Sequence, residues 1–153
     1  VTSTDMYFED FQVGEVHTSP TLEMTADLIV QFARVYDPQP FHLDRDAAGQ
    51  SVFGGLVAGG FQTAALTWAL ALRTGMFDRC AVAGLGVDRL RWHAPVREGD
   101  VVRAVFWLLD GRPSNSRPGV AVSRFAYEIR NQRDELLLSL EMSQLLKMRP
   151  AGA

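Results

Sequence analysis

Residues 57–75 read VAGGFQTAALTWALALRTG, and most of the expected architecture follows from them. Phe61, Ala64, Ala65, Leu66, Trp68, Ala69, Leu70, Ala71 and Leu72 cover nearly the whole circumference of a helix. The pattern predicts a long helix from Val57 or Ala58 to Thr74, buried almost all round, with Gly75 just past its end. Its many alanines allow a neighbouring element to pack close. The apolar run from Val57 to Leu72 is broken by Gly59, Gly60, Gln62, Thr63 and Thr67. At about 16 residues it is short for a membrane span, so the helix is expected inside a protein core and no membrane partner is expected.

After Gly75 the pattern changes to strands. Residues 81–92, 101–109, 120–130 and 135–148 are rich in Val, Leu, Ile and aromatics. In the last of these, Leu136, Leu138, Leu140 and Met142 alternate with Ser139, Glu141 and Ser143. Asn131-Gln132-Arg133-Asp134 supplies a hairpin connection into it, and Glu98-Gly99-Asp100 a turn before the second. GRPSNSRPG, residues 111–119, has the composition of a surface loop. Before the long helix, Leu28, Ile29, Phe32, Ala33 and Tyr36 share one helical face, with Thr25 as N-cap and Asp27 in the first turn. Asp37-Pro38 ends that helix, because the residue before a proline is pushed out of the α region. Pro40 repeats the restriction, so an irregular, stiff segment is expected over 37–42, then a short turn from Asp44 to Ala48. One more strand is expected between Glu15 and Met24. The order predicts an α+β fold in which a curved antiparallel sheet of about five strands wraps the long helix. A single sheet leaves open edges, and pairing with a second copy covers one economically.

The chain has 153 residues, about one domain's worth, and residues 1–153 are read as a single domain. Its 15 basic and 18 acidic residues give a net charge of −3, which leaves no basic excess for binding nucleic acid. With 47% hydrophobic and 22% charged residues it is not a disordered chain. The single cysteine, Cys80, makes no internal disulfide, which fits a reducing, cytoplasmic setting, and Val1 to Asp10 does not resemble a secretory signal.

Two segments hold the chemistry. In Tyr36-Asp37-Pro38-Gln39-Pro40-Phe41-His42-Leu43-Asp44 an acid and an imidazole flank two prolines, which restrict the backbone before any ligand arrives. A carboxylate and an imidazole in contact suit general acid–base work on water. Spacing alone does not make the side chains converge; Asp37 as a turn cap and His42 as an ordinary satisfied histidine is the commoner arrangement. The second segment, Phe53-Gly54-Gly55-Leu56-Val57-Ala58-Gly59-Gly60-Phe61, places two glycine pairs around a helix start. Glycines admit a ligand to the backbone, and free helix N–H groups favour an oxygen gaining negative charge. Close packing under the sheet explains the same glycines equally well. No Gly-Lys-Ser/Thr follows, so the segment is not a phosphate-binding loop of that type.

YDPQPFHLD, then FGGLVAGGFQTAAL, then a run of strands, together resemble the MaoC-like acyl-thioester dehydratases and (R)-specific enoyl-CoA hydratases, and the opening YFEDFQVGE is similar to the start of that family. The resemblance spans about Tyr7 to Lys147. It implies a hot-dog fold working as a homodimer or higher homo-oligomer, and an enzyme adding water reversibly to the double bond of an enoyl thioester, with coenzyme A as part of the substrate and no other cofactor. By the same resemblance Asp37 and His42 are the catalytic pair, Phe41 lines the substrate site, and backbone amides around Gly54, Gly55, Gly59 and Gly60 polarise the thioester carbonyl, Gly60 foremost. Two positions depart from the pattern: Gly59-Gly60 stands where many members carry His-Gly, and Phe61-Gln62-Thr63 where others carry aromatic-His-Thr. The alternatives are a hot-dog acyl-CoA thioesterase and a non-catalytic acyl-thioester-binding subunit.

The remaining residues read blandly. His17, in or near an exposed early strand, and His93, at a strand end, read as structural or surface residues, Cys80 is a buried apolar residue, and Trp68, Trp92 and Trp107 are core or dimer-contact aromatics. No His, Cys, Asp and Glu grouping has the spacing of a metal site. Arg89, Arg91, Arg97, Arg103, Arg112 and Arg117 read either as solvated surface charges or as partners for the phosphates of coenzyme A.

Overall fold

The computed structural model describes residues 3–152. Helix α1, Ala26–Tyr36, begins where the Thr25 hydroxyl accepts the Leu28 N–H at 3.3 Å, and it buries Ile29 and Ala33. Asp37 ends it by leaving the helical region at φ −154°, as its following proline requires. The next residues are more regular than expected. Pro40–Leu43 forms a one-turn helix, α2, because a proline at the first helical position has its φ already set. α3, Arg45–Gly49, follows, and the Asp44 side chain caps it by accepting the Ala47 N–H at 2.8 Å.

The long helix, α4, runs Gly60–Leu72 and so starts later than the apolar pattern suggests. Residues 57–59 are held extended instead: Val57 bridges Arg97, and the Ala58 N–H donates to the Val96 carbonyl at 2.9 Å. Gly75, at φ +76°, turns the chain away after the end of α4. The expectation of burial all round is corrected. Gln62, Thr63, Thr67, Leu70 and Ala71 are buried, whereas Phe61, Ala65 and Ala69 form an exposed stripe at spacing four. Polar residues on the buried face donate to backbone carbonyls, while Gln62 Oε1 is buried without a partner among the described residues. The Thr67 hydroxyl donates to the Thr63 carbonyl at 2.8 Å, and the Gln62 amide donates to Leu28 O at 2.8 Å, tying α4 to α1.

The sheet has six strands, all antiparallel, in the order β1-β4-β5-β6-β3 with β2 also on β4. The single early strand expected before Met24 is two short pieces, β1 (His17–Thr18) and β2 (Leu22–Glu23). Between them Pro20 supplies no N–H, while the Ser19 hydroxyl accepts the Ala104 N–H at 2.9 Å and so keeps the chain on β4. β4 (Val101–Pro113) overruns its expected end, because Gly111, Arg112 and Pro113 pair with Ser123, Val122 and Ala121. The loop shrinks accordingly. β5 (Val120–Arg130) and β6 (Leu136–Lys147) form the next hairpin, and β3 (Ala81–Trp92) adds to β6 as the outer strand. Nearly every residue of β3 is exposed, among them Val82, Leu85, Val87 and Trp92. The core lies between α4 and the inward face of β4, β5 and β6. There Phe77 stacks on Phe11 at 5.4 Å and meets Phe125 edge-on, and Trp68 meets Tyr127 edge-on at 6.2 Å.

Of the two readings of His17, structural or surface, the structure gives the structural one: the residue is half-buried. Its ring lies 6.0 Å from Phe11 and 5.4 Å from Phe106, and burial lowers its pKa below the ordinary value although Glu15 pulls the other way. The unfolded chain therefore takes up a proton at a higher pH than the folded one. The stability that depends on the neutral ring is complete above the ordinary histidine pKa, and it is lost as pH falls from there through the lower folded value. Urea unfolding midpoints at about pH 7.5 and about pH 5.5 test this: the midpoint drops on acidification, and His17→Phe reduces the drop.

Candidate active site

Asp37 and His42 are brought together by the turn that Pro40 starts. The Asp37 N–H completes α1 by donating to Ala33 O at 3.0 Å, and the His42 N–H donates to Gln39 O at 3.0 Å. These backbone bonds place both side chains over the start of α4. The His42 ring is buried, and its Nδ1 lies 2.7 Å from the Val57 carbonyl. A carbonyl only accepts, so Nδ1 carries the hydrogen and neutral His42 presents an unprotonated Nε2. That Nε2 is 3.4 Å from Asp37 Oδ2, while Asp37 Oδ1 accepts from the Gln39 side-chain amide at 2.7 Å. Two acceptors therefore face each other, and a molecule with two O–H donors satisfies both.

Gly59 and Gly60 meet this pair from below. A Cβ on Gly59 would lie 2.6 Å from Asp37 Oδ2 and 3.6 Å from His42 Nε2, so the acid and base rest against bare backbone. The first intrahelical bond of α4 runs from the Thr63 N–H to Gly59 O at 3.0 Å. The N–H groups of Gly60, Phe61 and Gln62 thus have no backbone acceptor among the described residues. Trp92, at the end of β3, packs on Gly60 so closely that a Cβ there would meet its ring at 2.6 Å, and its Nε1–H donates to Gly60 O at 2.9 Å.

Asp37, His42 and Gly60 line one cavity of about 450 Å³, walled by the rings of Phe41, Phe53, Phe61 and Trp92. Phe41 stands edge-on to His42 at 4.6 Å and contacts Phe53 at 5.4 Å. Phe61 also borders a second cavity, of about 350 Å³, along α4, whose other walls include Ala64, Trp68, Leu90, Tyr127 and Met142.

The structure thus unites Asp37, His42, Phe41, Gly59 and Gly60. Gly54 and Gly55 lie outside the cavity wall, in the turn before it, where Gly54 takes φ +66° and Gly55 faces Arg97. Of the six arginines singled out, Arg97 reaches the site, donating to the Phe53 carbonyl at 2.6 Å. Arg89 pairs with Glu141 at 3.3 Å and Arg103 pairs with Asp134, both away from the cavity. His93 lines the cavity with its Nε2 2.7 Å from the Ser139 hydroxyl. Cys80 is buried, and burial pushes its thiol up to about 11, far from a nucleophile's range. Sequence reasoning missed the Val57 carbonyl, Gln39 and Trp92 as parts of the site. Gln39 sits between two prolines and was open to inference; the other two become neighbours only through the fold.

Known proteins share this fold. The family model for the MaoC like domain matches residues 10–126. The crystal structure of a MaoC-like dehydratase from Rhodospirillum rubrum superposes with a TM-score of 0.86 at 36% identity, covering 95% of this chain and 99% of that one. A 3-hydroxybutyryl-CoA dehydratase from Methylorubrum extorquens is 32% identical over 117 residues, 76% of this chain and 72% of the relative. A Mycobacterium tuberculosis protein with a double hot-dog fold superposes with a TM-score of 0.85 at 19% identity, spanning all of this chain and 47% of that one, a likeness of fold alone. With a helix cradled by a six-stranded antiparallel sheet and a family match over most of its length, this chain is a hot-dog protein and belongs to the MaoC-like dehydratase family.

Proposed function

We propose that the protein is a hydratase/dehydratase that adds water reversibly across the α,β double bond of an enoyl thioester, giving the (R)-3-hydroxyacyl product. The observation that carries this reading is the pair of facing acceptors, His42 Nε2 and Asp37 Oδ2, 3.4 Å apart beside unpaired helix amides. A water bridging the two donates one hydrogen to each and turns a lone pair toward the substrate. Its oxygen bonds to Cβ, one proton passes to His42 Nε2, and the electrons of the double bond move toward the thioester oxygen. The amides at the start of α4 receive that developing charge. The proton on the imidazole then goes to Cα as the electrons return, so the net change is one H and one OH added. Phe41, Phe53 and Phe61 give the site an apolar wall, and the second, apolar cavity beside Phe61 suits a hydrocarbon tail.

Coenzyme A is the thiol carrier we propose, in a reducing cytoplasmic compartment to which the lone buried cysteine is suited. We also propose that two copies pair through the exposed strand β3.

Incubation with a short enoyl-CoA distinguishes the reactions. Loss of the conjugated enoyl absorbance without release of free thiol is the expected result, with (R)-3-hydroxyacyl-CoA recovered on chiral analysis. Thiol release without loss of the double bond points to thioester hydrolysis instead. Binding without either change leaves only an acyl-thioester-binding subunit.

A further inference from the structure

The geometry points to Trp92 as a positioning residue that orients and polarises the carbonyl-binding amide of α4; this rests on the hydration chemistry proposed above. The indole Nε1–H donates to Gly60 O at 2.9 Å. That carbonyl and the Phe61 N–H are the two ends of one peptide unit, and the Phe61 N–H is among the unpaired amides at the helix start. A donor on the carbonyl oxygen draws electron density through the amide and strengthens the N–H at the other end. It also fixes the plane of the unit, so the amide needs no reorganisation as charge develops on the substrate. Indole nitrogen is donor-only, so it does not compete for that amide hydrogen.

The local structure is shaped around this contact. A Cβ at residue 60 would lie 2.6 Å from both Cε2 and Nε1 of Trp92, so the approach requires glycine. Trp92 reaches the helix because β3 changes register between Asp88 and Arg91, where Arg89 adopts φ +53°, an unfavourable conformation for a side chain of its size. The ring also stands edge-on to Phe61 at 5.8 Å and forms part of the cavity wall. Trp92 remains half-exposed, at 50% of its full accessibility.

Two replacements separate donor from shape: Trp92→Phe, and incorporation of 3-benzothienylalanine at position 92, which keeps the bicyclic ring and replaces N–H by sulfur. Both are expected to lower kcat by about tenfold, the worth of one good hydrogen bond, with KM changed by less than about twofold. The second readout is the absorbance of bound 4-dimethylaminocinnamoyl-CoA, whose red shift reports polarisation of the thioester carbonyl. A smaller shift is expected in both variants than in the natural protein. If Trp92→Phe does not fold, the benzothienyl variant carries the test. Unchanged kcat and an unchanged red shift in the benzothienyl variant overturn the inference while leaving the hydratase reading intact. Should the natural protein hydrate no enoyl-CoA, the proposed function falls, and the red shift still judges Trp92: equal shifts reject its role, and a diminished shift supports it.

Discussion

Replacing Asp37 with Asn, or His42 with Ala, lowers kcat for enoyl-CoA hydration by about 10³-fold or more, the range expected when a positioned acid–base group is lost. The two lesions act on one bridging site. Asp37→Asn puts an amide where a carboxylate oxygen faces His42 Nε2 at 3.4 Å, so the site no longer offers two acceptors to a water. His42→Ala removes the proton carrier. The double variant is therefore expected to be hardly slower than either single one, as for groups working as a unit. Stability separates them. Asp37→Asn leaves the fold nearly unaffected, since the side chain keeps an oxygen to accept from Gln39. His42→Ala strips the buried Val57 carbonyl of its 2.7 Å donor and costs about 1–3 kcal/mol, seen as a lower melting temperature. Steady-state rates at saturating substrate, with circular dichroism melts beside them, measure both effects. Natural rates in both single variants reject the catalytic assignment.

Gly59→Ala is expected to damage activity almost as severely while sparing the fold. Gly59 has φ −64° and ψ 149°, angles that alanine adopts without strain, although alanine is a poorer N-cap residue than glycine. Stability should therefore fall by only about 1 kcal/mol. Space is the obstacle. The new methyl would sit 2.6 Å from Asp37 Oδ2 and 3.5 Å from its Cγ, and His42 Nε2 is only 3.6 Å away. The carboxylate must swing off, and a displacement of this size at a reacting group costs about 10²-fold in rate. An alanine variant with full activity rejects the close approach described for this site.

The contrast explains how far the sequence could be read. Local signals survived: the Thr25 cap, the proline stop after Asp37, the turn at Gly75, and the run 120–130, which is the strand observed. The errors arose where a distant partner overrode a local preference. Val57 and Ala58 look helical, yet Arg97 and Val96 hold them extended. Gly111-Arg112-Pro113 looks like loop, yet it pairs with β5, and Gly111 lies so close to Phe8 that a Cβ there would meet its ring at 2.5 Å. The helix pattern of α4 marked Phe61, Ala65 and Ala69 as apolar but could not distinguish a face buried by its own sheet from one left uncovered. At the site, the pair of residues 37 and 42 stood out through its prolines. Their convergence depended on the α2 turn and on a carbonyl 15 residues away, which no spacing rule encodes.

The placement of β1 and β2 has a bearing on how this molecule associates. Both lie along the outer side of β4, and with the interruption at Pro20 they leave that flank short and irregular. Growth of the sheet is thereby blocked in one direction, and among the described residues only β3 offers a long run of free backbone donors and acceptors in the other. A building block with one sticky side can be joined once and is then consumed. For the pairing through β3 proposed above, edge-to-edge assembly would end at a closed pair, and two residues of strand on either side of a proline would deny it runaway polymerisation into fibres.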